Sequence, residues 1–162
     1  MKIEPVNPSD YPELVDIWER AVRSTHHFLS DEDIAFYRPL VKTKYLPALD
    51  IYVAFNRDNK PVGLMGLAPG KVEMLFIDPA HQGRGIGRKL LNFALSLYPV
   101  LEIEANEQNS QGVAFYKKFG FKAIGRKELD GEGRPFPLLI LRYEQKPSPK
   151  NTGKEICASQ SQ

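Results

Sequence analysis

The stretch that most constrains this 162-residue chain is Gln82-Gly83-Arg84-Gly85-Ile86-Gly87-Arg88, in which three glycines alternate with larger side chains. An apolar run from Val72 to Ile77 precedes it. An amphipathic segment with Ile86, Leu90, Leu91, Ala94 and Leu95 on one face follows it. A second strand, Leu101 to Ala105, alternates apolar residues with Glu102 and Glu104. Strand, glycine loop, helix and strand make a parallel crossover unit, which commits the chain to a sheet covered by helices. Glycines let the backbone approach a ligand closely. The free N–H groups at the start of the helix then face an anion, aided by the helix dipole. Arg84, Arg88 and Lys89 add full charges, so the loop reads as a diphosphate cradle. A tight strand-to-helix turn with no ligand is the other reading of the same glycines. A Walker A loop is absent, and the G-x-G-x-x-G dinucleotide fingerprint fails in both frames, reaching Arg88 from Gly83 and Leu90 from Gly85.

The remaining elements fit around that unit. Ile3 to Val6 reads as a first strand. Ser9 or Asp10 is placed to cap a helix with Leu14, Ile17, Trp18, Ala21 and Val22 in one stripe. Ser30-Asp31-Glu32-Asp33 has the form of a capping box for a second helix, which Pro39 and Pro47 are expected to interrupt. Ile51–Phe55 and Pro61–Ala68 form a hairpin about Asn56–Lys60. Asn109 or Ser110 caps a short helix that Gly120 ends, and Phe121–Leu129 and Leu138–Tyr143 close the sheet. The predicted order is β-α-α-β-β-β-α-β-α-β-β, a mixed α/β fold in one domain over residues 1–145. The tail from 146 to 162 has no apolar period and is expected to be disordered.

Charge is informative in blocks rather than in sum. The net is +2, from 22 basic and 20 acidic residues. Residues 81–127 carry eight basic groups against three acidic ones, whereas residues 1–50 carry six basic against nine acidic. Residues 128–145 carry two basic against four acidic. The basic block coincides with the glycine loop and asks for an anionic partner. A nucleic-acid role would need a basic stripe with stacking aromatics and is not expected. The one cysteine, Cys157, excludes an internal disulfide and a Cys-based zinc site. No metal is expected. No apolar run is long enough for a membrane span and no secretory leader is visible, so a soluble cytoplasmic protein without membrane association is the expectation.

Two motifs carry a resemblance. Gln82-x-x-Gly85-x-Gly87, after Leu75-Phe76-Ile77-Asp78-Pro79, resembles motif A of the GCN5-related N-acetyltransferases (GNAT). Asn109-Ser110-Gln111-Gly112-Val113-Ala114-Phe115-Tyr116, running on to Gly120-Phe121, resembles their following motif. Thr25–Ser30 and Pro135–Leu139 are similar to the small bacterial YjaB-type branch of that family. The resemblance implies a GNAT-like mixed sheet with a V-shaped cleft between strands 72–77 and 100–105. It implies acetyl-CoA as co-substrate, with pantetheine along Leu75, Phe76 and Ile77 and an oxyanion donor N–H near Phe76. The pyrophosphate would sit on Gln82, Gly83, Arg84, Gly85, Ile86, Gly87 and Arg88, and Asn109 would meet the pantetheine arm. Lys117, Lys118 and Lys122 are candidates for the 3′-phosphate. Homodimers are frequent in the family.

The implied reaction is direct attack by a primary amine, of a small molecule or a protein lysine, on the thioester. Tyr116, which also borders the cofactor, is the candidate acid for the departing thiolate. Glu73 is the candidate base, lying on the cofactor-binding strand and sharing a face with Leu75 and Ile77. Glu104, His26, His27 or a water are its rivals. Asp31, Glu32, Asp33, Glu128, Asp130 and Glu132 are expected near an acidic acceptor rim. A non-catalytic acetyl-CoA-binding module on the same fold is the alternative function.

Overall fold

The computed structural model describes residues 1–145. The tail expected to be disordered, and Cys157 within it, lie outside the described residues. The elements run β1 (Lys2–Pro5), α1 (Tyr11–Thr25), α2 (Asp31–Leu40), α3 (Leu46–Ala48), β2 (Asp50–Phe55), β3 (Pro61–Ala68), β4 (Lys71–Ile77), α4 (Ile86–Leu97), β5 (Val100–Asn106), α5 (Ser110–Phe119), β6 (Lys122–Lys127) and β7 (Leu138–Glu144). This is the sequence-derived order with the one-turn α3 added. The seven strands form one sheet in the order β1-β2-β3-β4-β5-β7-β6. Every neighbouring pair is antiparallel except β4 and β5.

Helices cover both faces because the strands are apolar on both. On one side α4 lays Ile86, Leu90, Leu91, Ala94 and Leu95 onto Val72, Leu101 and Leu141. On the other, α1 places Leu14, Ile17, Trp18 and Val22 against Val53, Leu64 and Met74. These are the stripes read from the sequence. Among the described residues no helix is long and apolar enough to cross a membrane.

Three local expectations need correction. Neither Ser9 nor Asp10 caps α1 with its side chain. Instead Asn7 Oδ1 accepts the Ser9 N–H at 3.1 Å and caps a 3₁₀ turn that runs into the helix. Pro39 and Pro47 do not break the second helical region: Pro39 lies inside α2, and a wide π turn over Val41–Tyr45 carries the chain into α3. A proline lacks an N–H and crowds the carbonyl four residues back. The wider turn accommodates this by pairing the Leu46 N–H with the Val41 carbonyl. Strand β6 stops at Lys127 rather than Leu129, leaving Leu129 exposed. The Ser30–Asp33 capping box is formed as expected.

The cleft follows from strand pairing. β4 and β5 pair only through Lys71↔Glu102 and Val72↔Ile103, whereas β5 pairs with β7 along its whole length. Beyond Val72 the pairing of β4 with β3 also shifts: Leu67 faces Val72 and Gly66 faces Met74, so Glu73 is an extra residue. Such a bulge bends and twists its strand. β4 therefore swings away from β5 just where their pairing ends, opening the V.

Gly120 closes α5 at φ +131°, and a Cβ there would stand 2.7 Å from the Tyr143 ring. Gly120→Ala is expected to destabilise the protein by about 1–3 kcal/mol, read by urea unfolding.

Candidate active site

The bulge at Glu73 decides which side chains share a face. In regular alternation Glu73 would join Leu75 and Ile77, as expected from the sequence. The extra residue instead puts Val72 with Leu75 and Ile77 on the α4 side, and Met74 with Phe76 on the α1 side. Glu73 lines a cavity with Met74 and Phe76. That expectation is corrected by a feature no residue pattern announces.

Register also fixes the backbone. The Asp78 N–H donates to the Val62 carbonyl at 2.9 Å, so two-residue alternation pairs Phe76 with Leu64 of β3. Leu75 and Ile77 present their backbone groups to the opposite, open edge. The outward N–H expected near Phe76 thus belongs to its two neighbours.

Two cavities flank this strand. The first, about 330 Å³, is lined by Leu75, Phe76 and Ile77 from β4, by the glycine loop and the start of α4, by Asn109 and Gly112, by Phe115 and Tyr116 of α5, and by the end of α1. Gly83 and Gly85 both take φ +78°, and a Cβ on either would meet nothing within 4 Å. The open space above them is where a ligand's phosphates can rest on backbone N–H groups. Arg88 is held over the Phe119 ring at 5.1 Å. Asn109 Oδ1 accepts the Gly112 N–H at 3.1 Å, which leaves its amide N–H groups free to donate to a ligand. His81 also lines this cavity, with a buried Nδ1 that has no partner among the described residues. The donor set fits a pantetheine diphosphate.

The second cavity, about 570 Å³, lies on the other side of Phe76 and is lined by Glu73, Glu104, Asp130 and Glu132 together with Lys44, Lys71 and Lys127. Burial pushes the Glu104 carboxyl up, but hydrogen bonds from Lys127 and Lys71, each 2.9 Å, prevail and hold it below its ordinary value. Tyr37 donates to Asp130, and Tyr45 donates to Glu132. Burial first, and then these carboxylates, push both phenols up. Of the six acidic residues expected at the rim, Asp130 and Glu132 line the cavity. The other four are outside its lining: Asp33 serves the capping box and Arg134, Asp31 pairs with Arg23, Glu32 is exposed, and Glu128 lies 3.9 Å from Arg126.

Phe76 and His26 border both cavities. Burial, with a smaller push from His27, lowers the His26 pKa from 6.5 to about 4. The unfolded chain therefore binds a proton that the folded one refuses. Stability is fully present above about pH 6.5 and is lost as pH falls from there towards about pH 4. A shift of this size is worth about 3 kcal/mol, of which about 2 is lost by about pH 5. Urea unfolding at about pH 7.5 and about pH 5 should show this slope in the unaltered protein. His26→Asn should lose it; an equal slope in both would refute burial as the cause.

Tyr116 is partly buried, edge-on to Phe115 and Phe121 at centroid distances of 5.4 and 5.7 Å. Desolvation pushes its phenol above the ordinary value, which makes loss of the proton harder still.

This arrangement has known counterparts. The family profile described as "Acetyltransferase (GNAT) domain" matches residues 47–123. The peptidyl-lysine N-acetyltransferase YjaB of Escherichia coli (strain K12) is 49% identical over 131 residues, 81% of this chain and 88% of that protein. The chain belongs to the GNAT family. Its YjaB relative in Salmonella typhimurium is 47% identical over 80% of this chain and 89% of its own. The solution structure of apo YjaB from Escherichia coli superposes with a TM-score of 0.83 at 45% identity, covering 90% of this chain and 98% of that one. The fold is also that of a PaiA N-acetyltransferase from Thermoplasma acidophilum in complex with coenzyme A, at a TM-score of 0.67 and 23% identity over 89% of this chain and 99% of that one. Like its GNAT relatives, this protein is an N-acetyltransferase that moves the acetyl group of acetyl-CoA to an amine.

On the GNAT frame the sequence-derived cofactor residues converge on the first cavity, with one exception. Arg84 stands exposed outside its lining. Lys117, Lys118 and Lys122 are exposed as well and lie outside it. Glu73 and Glu104 share the second cavity, and His27 lies exposed outside both. Sequence reasoning missed Tyr37, Tyr45, Lys44 and Asn106 in the second cavity. Only the π turn brings Lys44 and Tyr45 there, and its sole signal is the Pro39–Pro47 spacing.

Proposed function

We propose that a protein lysine is the acceptor, and that its amine attacks acetyl-CoA directly where the two cavities meet. The observation that carries this is the shared wall: Phe76 and His26 border both chambers, so both substrates can be in place together. The relatives named peptidyl-lysine N-acetyltransferase support lysine as the acceptor.

Acetyl-CoA brings an already activated thioester. Leu75 and Ile77 offer backbone groups to pantetheine as an added strand would, and one outward N–H serves as the oxyanion donor. Gln82–Arg88 hold the pyrophosphate through helix-start N–H groups, with Arg84 and Arg88 supplying charge. Asn109 donates to the pantetheine arm. A lysine ammonium has a pKa of about 10.4 and must first lose a proton, which Glu73 accepts. Attack forms the C–N bond and a tetrahedral oxyanion held by the outward N–H. The C–S bond then breaks, Tyr116 gives its phenolic proton to the departing sulfur, and the new amide nitrogen sheds its second proton to solvent. Solvent then restores the phenol.

The test is thiol release from acetyl-CoA against lysine peptides, small primary amines and a polyamine. Lysine peptides are expected to give the highest kcat/KM. Acetyl-CoA binding with no release for any amine would point to the non-catalytic module instead.

A further inference from the structure

The geometry points to His26 as a second contact for the acceptor: we infer that its Nε2 accepts a hydrogen bond from the attacking amine and aims that nitrogen at the cofactor cavity. The inference rests on the two-cavity reading above.

His26 is 8% exposed, the one polar residue in the buried class among those described. It ends α1, with its backbone N–H on the Val22 carbonyl at 2.7 Å and its ring tilted against Phe28 and Phe76. The tautomer follows from Thr25. That hydroxyl has one proton, which it donates to the Ala21 carbonyl at 3.0 Å. It also lies 2.8 Å from His26 Nδ1, and the two contacts are hydrogen bonds together only when Nδ1 brings the proton to the second. In the neutral ring Nε2 is then the lone-pair nitrogen.

No group among the described residues bonds Nε2, and it is not one of the fully enclosed orphan atoms. It is therefore reachable, on a ring that borders both chambers. Glu73 and Asp130 share one chamber with it, and Arg88 and Tyr116 share the other. A neutral primary amine has two N–H groups and one lone pair. Giving one N–H to Nε2 leaves the lone pair free and limits its direction. A carboxylate in the same place would hold the ammonium instead, whereas a neutral imidazole holds the reactive form.

Asparagine and glutamine separate this role from a structural one. Asn can keep the Nδ1-like bond to Thr25 but has nothing at the Nε2 position. Gln can reach the Nε2 position but gives up Thr25. His26→Asn should keep its melting temperature and acetyl-CoA affinity while kcat/KM for a lysine peptide falls about 10- to 100-fold. His26→Gln should melt lower yet recover part of that loss. Activity that follows melting temperature, with Gln worse than Asn, overturns the inference; so does an unaltered kcat/KM in both. If His26→Asn fails to fold, Thr25→Val decides. Freeing the tautomer should lower kcat/KM for the peptide and leave acetyl-CoA affinity intact, and no change refutes the role. Absence of thiol release from the unaltered protein overturns the transferase reading itself, and the inference with it.

Discussion

Tyr116→Phe is expected to lower turnover by roughly 10²–10⁴-fold while acetyl-CoA affinity changes little. The ring packs between Phe115 and Phe121, and phenylalanine keeps those contacts. What it removes is one hydroxyl, a phenol that burial keeps above its ordinary pKa. Without it the sulfur must leave as a thiolate or find a water. The loss should therefore shrink for acyl donors whose thiol is more acidic, because such a leaving group needs no proton. Steady-state kinetics with two thioesters of different leaving-group pKa check this. Equal turnover in the variant and the unaltered protein would remove Tyr116 from the mechanism.

Glu73→Gln is expected to lower kcat/KM for the amine by a comparable roughly 10²–10⁴-fold, with a changed dependence on pH. The carboxylate lies 3.4 Å from Lys71, in the second cavity. Its rivals are weaker by position. Glu104 is held by two lysines, His27 is exposed, and His26 at about 4 is too weak a base to take a lysine proton. Without a base, only amine already neutral in solution can react. The variant's rate should then rise about tenfold per pH unit towards the amine pKa of about 10.4, narrowing its deficit at high pH. A parallel pH profile in variant and unaltered protein would assign proton removal elsewhere.

Most of the fold was legible because its signals are local. The stripes of α1 and α4, the Asn56–Lys60 turn, the Ser30–Asp33 capping box and the glycine loop each depend on a few neighbouring residues. The first cavity was legible for the same reason, since β4, the loop and the start of α4 are contiguous. The second was not. It is assembled from α1, the π turn, β4, β5 and the β6–β7 connection, whose contacts span the chain, as when Tyr37 meets Asp130. The face of Glu73 depended on a single extra residue between Val72 and Met74. A bulge of that kind is set by pairing with β3 rather than by the identity of the residue.

The division of walls between the chambers bears on how such an enzyme can diversify. The first cavity draws chiefly on one continuous segment and α5, whereas the second combines β4 and β5 with α1, the π turn and the β6–β7 connection. Lineages could therefore exchange one amine for another through drift at Tyr37, Lys44, Tyr45 or Phe136 without disturbing the coenzyme's seat. The two common residues have no such freedom. A substitution at Phe76 or His26 alters the wall that separates the chambers, which makes them the slowest-changing positions expected when descendants of this scaffold acquire new acceptors.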